Sequence, residues 1–194
     1  MPGNVPPVAD ERGGLLAFLA QQRYVLRLTA YGLTDEQARE TPTVSDLSVG
    51  GLVNHATTVE RYWMDIVEEQ AQPFDPNADW GENFRIGPDQ TLSEVLDAYD
   101  HAARHTEAIV AGVEDLGRPV PVPKGVPWFP ADVDAWSVRW VLLHLIQETA
   151  RHAGHADIIR ESIDGATAFP LMAAVEHWPP SPWMQPWTPA EPPT

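Results

Sequence analysis

The sequence predicts an all-α protein: an antiparallel up-down four-helix bundle with one short extra helix and an irregular Pro/Trp-rich C-terminal tail. Three observations lead there. Apolar residues recur at three- and four-residue spacing in four long stretches, the period of helices that bury one face. Capping residues, glycines and prolines fall between those stretches. No alternating run offers more than an edge strand, so the apolar faces must close on one another. The 194 residues suit one domain with a core of ordinary size.

Residues 1–9 are rich in Pro and Gly and read as a flexible leader. From Asp10 to Gly32, Leu15, Leu16, Phe18, Leu19, Val25, Leu26 and Leu28 trace the first amphipathic helix. Thr34-x-x-Gln37 is a capping box, so a short second helix starts there and ends before Pro42. Ser48 caps a third, from Val49 to about Glu69. Residues 71–90 carry three prolines and two glycines and form a loop. A second capping box, Thr91-x-x-Glu94, opens the fourth helix, which runs to about Leu116. Residues 118–134 are punctuated by prolines, which allow an edge strand or a short hairpin at most. The fifth helix starts near Ser137 and stops at Asp164-Gly165. The bundle domain therefore covers residues 10–165. The tail, 166–194, places Trp178, Trp183 and Trp187 among prolines. It is expected to avoid regular helix and to lie against the bundle or a partner.

Composition removes several functions. Twelve basic against 28 acidic residues leave a formal charge of −16, which opposes nucleic acid and anionic membrane alike. Without cysteine there is no disulfide framework, no thiolate zinc knot and no cysteine nucleophile. Any thiol chemistry must use a thiol brought from outside. Apolar stretches such as Val141-Leu142-Leu143 are far short of a bilayer span, and Met1 to Gly14 shows no secretory signal. The reading is a cytoplasmic protein with a small-molecule substrate. The tryptophan-rich tail favours an interaction role, a homodimer being the candidate assembly.

Seven histidines invite a metal, so their helical phase matters. His55 shares its face with Leu52, Val59, Tyr62 and Ile66 and points inward. On the fifth helix His144, Glu148, His152 and His155 form one narrow stripe, with His152 nearest the centre of the inward face. An imidazole and a carboxylate four apart can chelate one ion. Such a stripe costs free energy when buried unless an ion or a hydrogen-bonded polar layer compensates it. His101 and His105 have the same spacing but fall opposite the Leu92–Tyr99–Thr106–Val113 stripe, which rejects them as ligands. His177 lies in the tail and cannot be phased. Glu-x-x-His pairs, His-Glu-x-x-His, phosphate-binding glycine loops and a Gly-x-Ser-x-Gly elbow are all missing.

On LTDEQ (33–37), NHATTVERYW (54–63) and HLIQETARHAGH (144–155) the chain resembles the DinB-like superfamily of metal-binding four-helix bundles, over about Leu15 to Gly165. That resemblance implies three ligands, one histidine on an early helix and a pair four apart on a late one, matching His55, Glu148 and His152. Much of the superfamily has His-x-x-x-His in the late pair. Glu148 in its place resembles the mycothiol-dependent maleylpyruvate isomerase and thiol S-transferase branch. His144 and His155 remain further candidates, to orient a ligand or shuttle a proton.

Two imidazoles and a carboxylate leave open positions on a divalent ion, with zinc the best match and nickel or iron alternatives. A bound thiol such as mycothiol would be deprotonated there and attack a small electrophile, conjugating it or isomerising a double bond. Tyr62, Trp63, Trp136 and Trp140 are the candidate pocket lining. Two rivals stand beside this reading: a metal-dependent hydrolase that activates water instead, and a non-catalytic metal- or ligand-binding bundle acting through dimerisation.

Overall fold

A computed structural model describes residues 3–189. Its frame is four helices, α1 (Glu11–Thr29), α2 (Val49–Val67), α3 (Leu92–Gly112) and α4 (Val138–Asp164). Each begins where its cap stands. Asp10, Ser48, Thr91 and Ser137 accept from the backbone N–H of Gly13, Gly51, Glu94 and Trp140, and the Thr91–Glu94 box is closed in both directions. Gly165, left-handed at φ 75°, stops α4. The all-α bundle is as the sequence predicts.

The helix directions differ from the simple up-down order. Glu11 pairs with Arg139 and the Arg160 guanidinium donates to the Thr29 carbonyl, so α1 and α4 run parallel. Arg27 pairs with Asp100 while Arg12 donates to the Val110 carbonyl, so α1 and α3 are antiparallel. Leu52 shares a core with Leu92, and Val67 shares one with Val110, so α2 and α3 are also parallel. The order is up-down-down-up. The cause is the connection through residues 68–91, which travels back along the full length of α2, a 19-residue helix about 28 Å long. Helical periodicity reports which face is buried but not which way a helix points.

Three smaller elements also depart from expectation. The Thr34/Gln37 box forms both of its bonds, at 3.0 and 3.2 Å, yet it caps only a 3-10 turn, Gln37–Arg39. The proline-punctuated stretch supplies β1 (Pro119–Pro121), which pairs antiparallel with β2 (Ala135–Ser137) just before α4. Only Val120 of β1 is buried, between two exposed prolines. The tail is not wholly irregular, because α5 (Ala168–Val175) lies within it. Pro170 is tolerated because it sits in the first turn, where the backbone N–H has no partner inside a helix. Leu171 and Met172 of α5 pack with Leu28 of α1, and Trp178 and Trp187 close over them. Trp183 stays 76% exposed. None of the helices among the described residues is long and apolar enough to cross a membrane.

Candidate metal centre

The site forms where α2 and α4 cross antiparallel. The return loop is pressed onto the start of α2 by Gly50 and Gly51: a Cβ on Gly51 would stand 2.0 Å from the Phe84 carbonyl oxygen, and one on Gly50 2.0 Å from the Ile86 side chain. One turn on, the Asn54 amide donates to the carbonyls of Asn83 (3.3 Å) and Arg85 (3.0 Å). These contacts lay the Phe84 ring flat on His55, with centroids 3.8 Å apart at 15°.

Beneath Phe84, His55 of α2 meets Glu148 and His152 of α4. Glu148 Oε1 lies 3.1 Å from His152 Nε2 and 3.4 Å from His55 Nε2. One ligand atom from each of the three lies within 4.8 Å of the others. Both imidazoles are nearly buried, and the carboxylate is a quarter exposed. Hydrogen bonds from His152 and then His55 hold the Glu148 carboxyl well below the usual carboxylate range, against the opposing effect of burial. The Nδ1 atoms of His55 and His152 are buried with no hydrogen-bond partner. The donor set fits a divalent ion: tetrahedral ligands about 2.0–2.1 Å from zinc stand about 3.3 Å apart, close to the two separations that Glu148 makes with the imidazoles.

A cavity of about 390 Å³ opens beside this cluster, walled by α2 and by both long connections. Tyr62, Trp63 and His144 line it together with His55 and Glu148. Burial pushes the His144 imidazole down, favouring its neutral form, and burial raises the Tyr62 hydroxyl. His144 continues a flat stack, lying 5.3 Å from Trp140, which lies 4.4 Å from Trp136. Those two tryptophans stand behind His144 rather than on the cavity wall.

A family model described as mycothiol-S-transferase matches residues 14–165. The chain belongs to the mycothiol-S-transferase family. Its fold is thereby that of a DinB-like protein. Among solved structures it is similar to a conserved protein from Enterococcus faecalis, with 13% identity and a TM-score of 0.63. That match covers 82% of this chain and 100% of the other, a likeness of fold alone. No curated protein matches the chain.

Within this family member the structure brings together His55, Glu148 and His152, with His144 on the cavity wall. His155 does not face the cavity; its ring is 5.5 Å from that of His152, and its own Nδ1 is buried without a partner. His101, His105 and His177 are exposed. Sequence reasoning missed Trp80, Phe84, Trp128 and Phe129, the aromatic wall supplied by the two connections. The available signal was the density of aromatic residues in two proline-punctuated loops. The Gly50-Gly51 pair at the head of α2 marks the docking site of one of them.

Proposed function

We propose that this protein is a metal-dependent thiol S-transferase or isomerase. His55, Glu148 and His152 hold a divalent ion, zinc being the best match, and mycothiol or a similar small thiol is the co-substrate. The observation that carries the metal reading is the convergence of three ligand atoms from two helices beside a cavity. The family membership carries the thiol, and the lack of any cysteine agrees with a nucleophile that arrives from outside. A bound divalent ion would supply the positive charge that favours the thiolate over the thiol.

The chain's own groups do the rest. His144, kept neutral by burial, accepts the thiol proton at a ring nitrogen. Sulfur then forms a bond to the electrophilic carbon of the second substrate. In a transfer, the leaving group departs with its bonding pair. In an isomerisation the sulfur adds to a double bond and later leaves, after rotation. Tyr62, kept protonated, offers a hydroxyl donor at the wall. Phe84 covers His55 and keeps water from one side of the cluster. His155 is a positioning residue that packs edge to face against His152, with centroids 5.5 Å apart. The cytoplasm, where small thiols are kept reduced, is the fitting compartment.

Elemental analysis of the untagged protein, beside His55→Ala and His152→Ala, tests the reading. About one equivalent of zinc is expected in the wild type and none in either variant, with helical circular dichroism unchanged. Conjugation of an electrophile should require both zinc and thiol, and should fall by about 100-fold or more in either variant. Failure to bind zinc after incubation overturns the metal site. Turnover that needs zinc but ignores thiol would favour hydrolysis instead.

A further inference from the structure

We propose that the cavity beside the cluster is selective for neutral, planar aromatic electrophiles and rejects their carboxylated counterparts. The word electrophile rests on the transferase reading, whereas the ligand class rests on the cavity wall alone. Six aromatic side chains line that wall, Tyr62, Trp63, Trp80, Phe84, Trp128 and Phe129, and no lysine or arginine does. The charged group on it is Glu148, an anion. The Thr58 hydroxyl is already donated to the Asn54 carbonyl at 3.1 Å. A carboxylate entering the metal-free cavity would give up water for uncharged donors and lie near a like charge. In the working protein the charge of a bound divalent ion would be balanced by Glu148 together with the thiolate. Lys124, on the connection that carries Trp128, is paired with Asp134 at 3.1 Å.

The rim adds a shape criterion. Phe74 and Trp80 of one connection and Trp128 of the other form a triangle of rings, with centroids 5.4–5.5 Å apart. Trp128 is 57% exposed and Trp80 39%, so their free surfaces meet an incoming ligand before it reaches Trp63. Flat aromatic faces with few donors reward a flat apolar guest. The molecule's charge of −16 further disfavours an anion at the mouth.

Quenching of tryptophan fluorescence measures this without thiol, on the full chain, both metal-free and zinc-loaded. The unreactive pair 1,3-dinitrobenzene and 3,5-dinitrobenzoate differ by one carboxylate. In the metal-free protein the neutral compound is expected to bind about ten-fold or more tightly, and zinc without thiol should narrow that preference by offsetting the charge of Glu148. Trp128→Ala should weaken it several-fold, and Trp183→Ala, remote in the tail, should not. Equal or tighter binding of the benzoate to the metal-free protein overturns the proposal. So does a loss of affinity in Trp183→Ala with none in Trp128→Ala.

Turnover with mycothiol and zinc then compares 2-chloro-1,3-dinitrobenzene with 4-chloro-3,5-dinitrobenzoate, each rate being divided by that of the uncatalysed reaction with the same thiol. In each, a carbon–sulfur bond replaces the carbon–chlorine bond, chloride leaves with the electron pair, and the thiol proton goes to His144. The neutral substrate should have the higher kcat/KM relative to its uncatalysed rate, and the reverse order overturns the proposal. If neither reacts while the binding preference holds, the transferase reading fails and the ligand class stands.

Discussion

Arg23 of α1 and Glu60 of α2 meet inside the same bundle, a little further along α2 than His55, and they contrast instructively with the histidine cluster. They are 5% and 2% exposed. Arg23 Nε donates to Glu60 Oε2 at 3.1 Å, Nη2 donates to Oε1, and Nη1 reaches Glu107 at 3.0 Å. Two opposite charges and a fork of donors close on each other, so nothing further is required of them. The histidine cluster is less buried and less complete. Both Nε2 atoms turn to one carboxylate oxygen, both Nδ1 atoms are orphaned, and a cavity lies alongside. A buried polar group is therefore a poor sign of a site by itself. Two imidazoles sharing one carboxylate beside a cavity are the better sign.

The most severe way to break the contrast is to open the closed pair. Arg23→Ala strands the Glu60 carboxylate in the core and should cost about 3–5 kcal/mol in urea denaturation. Replacing both partners, Arg23→Met with Glu60→Leu, should recover most of that, because no buried charge is then left without a partner and the half-exposed Glu107 returns to water. Next in size is the response to zinc. At a free concentration one hundred times its dissociation constant, zinc should stabilise the wild type by about 2.7 kcal/mol. The Arg23/Glu60 double variant should keep that gain, while His55→Ala and His152→Ala should lose it. A gain that survives in either histidine variant would place the ion elsewhere.

The contrast also explains what was legible beforehand. His55 and the α4 stripe were readable because a helix presents each face at a fixed period, and these residues share the phase of Leu52, Ile66 and Leu145. The same logic reaches Glu60, which follows Val53, Ala56 and Thr57 and precedes Met64 on the buried side of α2. It does not say that α1 supplies the arginine opposite, since periodicity carries no information between helices. Phe84 and Trp128 were out of reach for another reason. Their placement depends on a loop docking against Gly50, Gly51 and Asn54, and on helix directions set by tertiary packing. α5 was misjudged because proline content was weighed without position: Pro170 stands where a helix can accept it.

The smallest expected effect concerns Glu148 in the metal-free protein. Its carboxyl is held below the ordinary glutamate value of 4.5 by the two imidazoles, so the folded state binds that proton less readily than the unfolded chain. Stability from this source is fully present above that ordinary value and is lost as pH falls through the lowered folded one. Glu148→Gln removes the titration but preserves the shape. The wild type should exceed the variant by on the order of 1 kcal/mol at neutral pH, as expected for hydrogen bonds to a carboxylate at a partly exposed site. With a chelator present throughout, denaturation curves at successively lower pH should converge below about 4.5. Curves that diverge on acidification would show that Glu148 takes up its proton in the folded state first. Its bonds to His55 and His152 would then be those of a neutral acid, and the cluster would resemble the closed Arg23–Glu60 pair in needing no ion to complete it.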